Sequence, residues 1–120
     1  MIKARFLRDE RGNLQQFSMT GHADSGEYGK DIVCAAVSAV AIGAVNGIEA
    51  LAGFEPTVEA DEVNGGHLIV TIEQDLTGEQ MHISQILLEN LLLTMQSIAE
   101  SYGDYVQIET SKYPNSYSEV

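Results

Sequence analysis

The chain opens with two short stretches in which apolar and polar residues alternate. Residues 2 to 8 alternate around Phe6, and residues 14 to 20 do so again after a polar cluster, Asp9 to Asn13, that contains Gly12. A period of two is typical of strands with one buried face, and a polar turn between two such stretches indicates a hairpin. We therefore expect two antiparallel strands, followed by a polar loop over residues 21 to 30.

A long helix is predicted after this loop. From Ile32 to Leu51, small and apolar residues cover nearly every side of a helical wheel, which is typical of a buried helix. Gly43 and Gly47 each lower the helix propensity by about 1 kcal/mol relative to alanine, and we attribute them to close packing against a neighbouring element. Gly53 predicts the end of the helix, with Pro56 beyond it.

A second hairpin is predicted in the middle of the chain. Residues 57 to 63 and 68 to 73 alternate between apolar and polar, and the sequence Asn64-Gly65-Gly66 lies between them. Asparagine and glycine accept the positive φ angles that tight hairpin turns require. The two stretches should therefore pair with each other in an antiparallel ladder.

The last part of the chain predicts a helix and a strand. Thr77 and Gln80 have the spacing of a capping box, and the helix continues to about Tyr102. Its apolar residues form a wide stripe, and Gln85 and Glu89 are among the polar residues expected to lie largely away from it. Residues 105 to 111 alternate as a final strand. The order ββαββαβ predicts one α+β domain over residues 1 to 120, with a mixed or mainly antiparallel sheet and two packed helices.

Composition narrows the possible partners. The 120 residues include 18 acidic and 6 basic ones, for a formal charge of −12. Such a charge opposes direct binding to nucleic acid and favours encounter with basic proteins, although it is also typical of a merely soluble protein. A domain of this size can fold alone, but association with a second copy would stabilise it, so a homodimer is plausible.

No cofactor, metal site or membrane segment is expected. The single cysteine excludes an intramolecular disulfide, and His22, His67 and His82 lie on separate elements without the spacing of a ligand set. The N-terminus lacks the apolar core of a signal peptide. The most apolar stretch, residues 32 to 45, is shorter than the ~20 residues that cross a membrane. We therefore expect a cytoplasmic protein.

The one cysteine lies at the start of the first helix. Asp31 directly precedes the helical run and is a good N-cap candidate, which would place Cys34 in the first turn. There the helix dipole and unpaired backbone N–H groups favour a thiolate, whereas a nearby Asp31 carboxylate would disfavour it. His22, twelve positions upstream, could supply the imidazolium of an ion pair.

These residues alone leave other interpretations open. A single cysteine in a helix rich in alanine and valine is more often an inert core residue, and a histidine in a loop is more often simply solvated. Ser38, one turn after Cys34, most often bonds the carbonyl four residues earlier. Spacing therefore does not by itself distinguish an active site from ordinary structure.

The local sequence carries a family resemblance. Gly21-His22-Ala23, followed by the run from Gly29 to Ala39 that reads GKDIVCAAVSA, resembles the signature of the ribosomal-processing cysteine proteases of bacteria. The chain length, the position of the motif and the leucine-rich second helix are similar as well. The resemblance implies a thiol protease with Cys34 as nucleophile and His22 as base, and with Asp31 and Ser38 in supporting positions.

The resemblance also implies a substrate and an assembly state. Family members remove a short N-terminal extension from a large-subunit ribosomal protein, cutting after an aromatic residue, and form homodimers with a mobile loop that matches residues 23 to 30. The backbone N–H groups of Val33 and Cys34, at the helix start, are the expected oxyanion donors. The alternative hypothesis is a noncatalytic acidic assembly factor that binds a basic ribosomal protein.

Overall fold

Five strands form one mixed sheet, with the helices on a single face. The computed structural model describes residues 1–21, 30–61, 66–73 and 75–112, excluding the side chains of Lys30 and Asp31. The elements are β1 (Ile2–Arg8), β2 (Leu14–Thr20), α1 (Lys30–Gly47), a π-helical turn (Ile48–Ala52), β3 (Thr57–Ala60), β4 (His67–Thr71), α2 (Gly78–Ser101) and β5 (Val106–Lys112). This confirms the predicted α+β class and element order.

The strand order is β3-β4-β2-β1-β5. The predicted hairpins form antiparallel pairs, β1 with β2 and β3 with β4, and β2 pairs antiparallel with β4. Only β5 runs parallel to its neighbour, β1. A strand that joins a sheet in parallel needs a long connection before it. Here α2 is that connection, because it leads from β4 across the sheet to β5. The sheet is therefore mixed and mainly antiparallel.

Strand alternation places one row of side chains under the helices. Phe6 and Phe17 are register partners on β1 and β2, and their rings stack with centroids 5.9 Å apart. Both are 1% exposed, and Val70 of β4 and Val106 of β5 are buried on the same face. Burying each such side chain contributes roughly 1.5–3 kcal/mol. The alternation that predicted the strands is thus the pattern of the core.

Only one side of helix α1 packs against this core. Val33, Val37 and Ala41 recur every four residues and are at most 4% exposed, whereas Ile32 and Ile42 are more than half exposed. The expectation of a helix buried all round is therefore wrong. The expectation that this apolar stretch is too short to cross a membrane is also wrong, because residues 32 to 52 are long and apolar enough by length and composition. The buried row of Val33, Val37 and Ala41 nevertheless packs α1 on the core of the sheet.

The predicted helix ends differ in detail from the structure. Helix α1 begins at Lys30, so Asp31 lies within its first turn and is not the N-cap that we expected. The π turn ends at Gly53, which has a φ of +78° and donates its N–H to the Ile48 carbonyl, 3.1 Å away. The capping box of Thr77 and Gln80 is present at the start of α2. The predictions that the first helical segment ends at Gly53 and that Thr77 and Gln80 form a capping box are therefore confirmed.

The two α1 glycines have different surroundings. A Cβ atom on Gly47 would lie 3.4 Å from the Leu87 side chain, so this glycine marks the contact between α1 and α2. A Cβ on Gly43 would meet no described atom within 4 Å. Close packing therefore explains Gly47 but not Gly43 within the described part of the chain.

Candidate active site

Cys34 lies on α1 between two buried positions. Val33 and Val37 face the sheet and are 2% and 4% exposed, and Cys34, one position round the helix from Val33, is only partly buried. A cysteine in this position packs against the core with one side and presents the other side to the surface. It is therefore accessible, unlike a fully enclosed core thiol.

The exposed side of Cys34 opens into a pocket of about 370 Å³. The pocket lies between α1, the ends of β2 and β3 and the beginnings of β1 and β4. Its lining residues are Ile2, Met19, Gly21, Cys34, Val37, Ser38, Ala41, Ile42, Ala60, Asp61, Gly66, His67 and Leu68. Apolar side chains dominate this lining, and a few polar groups accompany them, as is common for ligand sites.

Two of the predicted site residues meet in this pocket. Ser38 follows Cys34 by four residues and therefore lies on the same side of α1, and both line the pocket. Asp31 precedes Cys34 by three residues in the first turn of α1, but its side chain lies outside the described part of the structure. The structure thus brings Cys34 and Ser38 to one surface.

His22 and residues 23 to 29 of the loop predicted over residues 23 to 30 lie outside the described residues, and Lys30 begins α1. The residue bonded to His22, however, is a wall of the pocket: Gly21 has a φ of +83° and donates its N–H to the Gly66 carbonyl, 2.9 Å away. A Cβ atom on Gly21 would clash with the Met1 carbonyl oxygen. Only glycine fits there, and it fixes the chain at the pocket immediately before His22.

The predicted oxyanion donors, Val33 and Cys34, are the fourth and fifth residues of α1. In a helix an N–H bonds to the carbonyl four residues earlier, and for Cys34 that residue is Lys30, the first of α1. Donation to a substrate oxygen would therefore compete with helix hydrogen bonds. The assignment of these two N–H groups stays a prediction.

The second hairpin contributes residues that sequence analysis did not assign to the site. Asp61, Gly66 and His67 line the pocket, and the Asp61 N–H donates to the His67 carbonyl at 3.2 Å. They reach Cys34 because β4 pairs with β2, with His67 opposite Thr20. The sequence predicted a turn at Asn64-Gly65-Gly66, but nothing local indicated the pairing of β4 with β2.

The arrangement suits nucleophilic chemistry on a bound peptide. An accessible thiol lies at a largely apolar pocket that Gly21, the residue before His22, also lines. A cysteine activated by a histidine attacks carbonyl carbons. Within the described residues no group of three His, Cys, Asp or Glu side chains could hold a metal ion.

Comparison with known proteins agrees with this chemistry. Residues 1–107 match the model of a family described as cysteine protease Prp. The ribosomal processing cysteine protease Prp of Bacillus subtilis (strain 168) is 37% identical over 111 residues, which are 92% of this chain and 98% of that protein. The protein of the same name from Staphylococcus aureus (strain Mu50) is 36% identical over 90% of this chain and 97% of its own length.

Solved structures share the fold. A crystal structure of a Streptococcus mutans protein superposes with a TM-score of 0.84 at 37% identity, covering 94% of this chain and 96% of that one. The Prp protease of S. aureus, crystallised with a covalently linked product peptide, gives a TM-score of 0.78 at 34% identity, covering 92% of this chain and all of that one. The accessible cysteine, its pocket and these matches together establish that the chain belongs to the Prp family of cysteine proteases.

Proposed function

We propose that this protease removes a short N-terminal extension from a large-subunit ribosomal protein, cutting after an aromatic residue. The observation that carries the proposal is the position of Cys34 at a pocket whose wall includes Gly21, the residue before His22. The relatives are named ribosomal processing proteases, and one of them was crystallised with a substrate peptide. The peptide-bound structure of that relative has the fold described above for this chain.

The pocket favours an aromatic residue next to the cleaved bond. Ile2, Met19 and Ala41 are buried, with exposed fractions between 0% and 7%, and together with Leu68 they give the pocket an apolar floor. Transfer of an aromatic ring from water to such a floor is favourable in proportion to the apolar area that it covers. A volume of about 370 Å³ is within the range of small-ligand pockets.

In the proposed mechanism the Cys34 thiolate attacks the carbonyl carbon of the scissile peptide bond. Protonated His22 gives its proton to the leaving amine, the C–N bond breaks, and a thioester to Cys34 remains. Neutral His22 then takes a proton from water, the hydroxide adds to the thioester carbonyl, and the thiolate leaves. Asp31 and Ser38 support this pair, and the N–H groups of Val33 and Cys34 are the expected oxyanion donors, for which the substrate oxygen competes with the hydrogen bonds of α1.

The proposal includes a cytoplasmic homodimer. Helix α1 presents an exposed row of uncharged residues that includes Ile32, Ala39 and Ile42. On a protein with a formal charge of −12, an uncharged surface is where two copies approach with least repulsion. Sedimentation equilibrium checks the dimer, because a mass of 13 kDa at all concentrations would exclude it.

The experiment that tests the proposed function uses two forms of the ribosomal protein, one with its extension and one already trimmed. Each is incubated with the protease and analysed by mass spectrometry. We expect only the extended form to lose mass, at one junction that follows an aromatic residue. Binding of the extended form without any loss of mass would contradict the proposal and favour the assembly-factor hypothesis.

A further inference from the structure

Strand β3 is an edge of the sheet that leads directly to the Cys34 pocket. In the described part of the chain β3 pairs with β4 alone, and all four of its residues are exposed. It ends at Ala60, and both Ala60 and the next residue, Asp61, line the pocket. The open edge and the pocket therefore form one continuous surface.

The register identifies which backbone groups of β3 face outward. The Asp61 N–H donates to the His67 carbonyl, so residues 61 and 67 are a hydrogen-bonded pair. In an antiparallel ladder such pairs alternate with pairs whose N–H and C=O groups point away from each other. Glu59 therefore bonds to β4, whereas the N–H and C=O groups of Val58 and Ala60 point to the open edge.

The β2–β4 pairing supports this assignment. The Ile72 N–H donates to the Gln15 carbonyl, and the Gly21 N–H donates to the Gly66 carbonyl, so even-numbered residues of β4 bond to β2. The odd-numbered residues of β4 are then the ones that bond to β3. Both ladders therefore indicate that the N–H and C=O groups of Val58 and Ala60 point to the open edge. These two residues are two positions apart, which is the spacing at which an additional strand forms hydrogen bonds.

We propose that the peptide substrate binds as an additional strand on β3, with main-chain hydrogen bonds to Val58 and Ala60, and that this pairing directs its scissile bond to Cys34. The inference rests on the proposed function, because it assumes that the ligand of the pocket is a peptide. Strand addition supplies affinity through the backbone and leaves specificity to side-chain pockets. It explains how a small protease holds an extended segment of a substrate on the side of the pocket where β3 ends.

A matched pair of proline variants tests the role of this edge. Val58→Pro removes an outward N–H of β3 and leaves the ladder to β4 intact, which edge strands tolerate. Thr110→Pro is its control on the opposite edge: the Ile2 N–H donates to the Tyr105 carbonyl, so odd-numbered residues of β5 bond to β1 and the Thr110 N–H points outward. The substrate is the peptide across the junction that mass spectrometry has mapped.

We expect Val58→Pro to raise KM about fivefold relative to Thr110→Pro, the effect of one lost hydrogen bond, with kcat nearly unchanged. Equal KM values for the two variants would overturn strand addition at β3. The proposed function fails differently, because in that case the wild-type protein would not cut the peptide at all.

Amide exchange gives a second test that leaves β3 unaltered. In Cys34→Ala protein saturated with the same peptide, the N–H groups of Val58 and Ala60 should exchange at least tenfold more slowly than without peptide. The N–H groups of Ile108 and Thr110, on the opposite edge, should exchange at the same rate in both samples. Unchanged exchange at Val58 and Ala60 would overturn the proposal. This is also the result expected if a second copy of the chain, and not the substrate, covers β3.

Discussion

The side chain of Cys34 is half-buried although its neighbour Val33 and the residue one turn later, Val37, are almost completely covered. This difference arises from a rotation of about 100° per residue around the helix, which turns Cys34 away from the sheet and towards the pocket. The thiol therefore contributes less to the core than Val33 or Val37 does, and its removal should affect chemistry more than folding.

We expect Cys34→Ala to abolish cleavage of the extended ribosomal protein while changing the free energy of unfolding by less than about 1 kcal/mol. Cys34→Ser should be almost as inactive, because a hydroxyl ionises far less readily than a thiol. Mass spectrometry of the substrate measures cleavage, and urea denaturation measures stability. Cleavage at the wild-type rate by folded Cys34→Ala protein would rule out this nucleophile.

His22→Ala should abolish cleavage and slow the alkylation of Cys34 by iodoacetamide at pH 7. The reason is that an imidazolium beside the sulfur stabilises the thiolate, which is the form that reacts. The alkylation rate is measured across pH by mass spectrometry, with His82→Ala as the control because His82 is an exposed residue of α2. Identical alkylation rates for His22→Ala and wild type would assign the reactivity of Cys34 to α1 itself.

Individual residues show where local sequence was sufficient. The spacing of Cys34 and Ser38 in a helical stretch was enough to place both on one side of α1, because helix geometry is local. Asp61 and His67 could not be assigned to the pocket in the same way. Their position depends on the register of β4 against β2, which is set by contacts between residues about fifty positions apart.

At the scale of elements, two polar side chains of α2 attach it to the sheet. The Gln85 side chain donates to the Leu14 carbonyl at 2.8 Å and accepts from the Leu14 N–H at 2.7 Å. Arg8 donates to both carboxylate oxygens of Glu89, at 2.6 and 2.9 Å. Gln85 and Glu89 are not among the buried residues of α2, but their side chains still bond to the strands beside it.

Gln85→Ala should destabilise the fold by about 2 kcal/mol. Leu14 is 1% exposed, so its N–H and C=O groups would lose their partner and could not fully recover it from water. Urea denaturation measures the loss, and Gln96→Ala, at an exposed position of the same helix, is the matched control and should change stability by less than about 0.5 kcal/mol. Equal effects of the two substitutions would mean that the bonds to Leu14 contribute nothing.

The Arg8–Glu89 pair predicts a pH dependence of stability. The hydrogen bonds from Arg8 hold the pKa of the Glu89 carboxyl below its ordinary value of 4.5. A carboxyl with a lowered pKa stabilises the fold above its unfolded-state pKa, and this contribution is lost as pH falls through the folded-state pKa. Because the Glu89 side chain is 43% exposed, we expect only about 1 kcal/mol from the pair.

Glu89→Gln should therefore lower the free energy of unfolding at pH 7, and the difference from wild type should shrink progressively below pH 4.5. Urea denaturation at pH 7, 5 and 3 measures this difference. Glu109→Gln is the control, since the Arg5–Glu109 pair is 64% and 67% exposed and should contribute little at any pH. A difference for Glu89→Gln that is constant over the whole range would contradict the role of its charge.

The elements themselves followed closely from sequence periodicity. Both hairpins and both helices occur where alternation, helical spacing, glycines and a capping box predicted them, because these signals are local. The parallel pairing of β5 with β1 was not predictable in the same way, since it joins the two ends of the chain. The exposed side of α1 was also missed, because apolar composition does not reveal how many sides of a helix find a partner.

At the scale of the whole molecule, net charge is the property that we expect to affect the encounter with the substrate most. The formal charge is −12, with 18 acidic residues against 6 basic ones, so the protein attracts basic partners over distances that salt sets. The Debye length falls from about 10 Å at 0.1 M salt to about 3 Å at 1 M. Ribosomal proteins are basic, and their encounter with this protease should therefore depend on ionic strength.

We expect kcat/KM for the extended ribosomal protein to fall at least fivefold between 0.05 and 0.5 M sodium chloride, because long-range attraction speeds encounter and is screened by salt. The control is a peptide that spans the same junction but carries no net charge, for which kcat/KM should change less than twofold. Both are measured by mass spectrometry at substrate concentrations well below KM. An equal salt effect on the two substrates would mean that salt acts on the pocket around Cys34 and not on the approach of the basic protein. A salt effect confined to the basic protein would instead show that the acidic surface recognises the substrate as a whole. The pocket around Cys34 would then determine only which bond is cut.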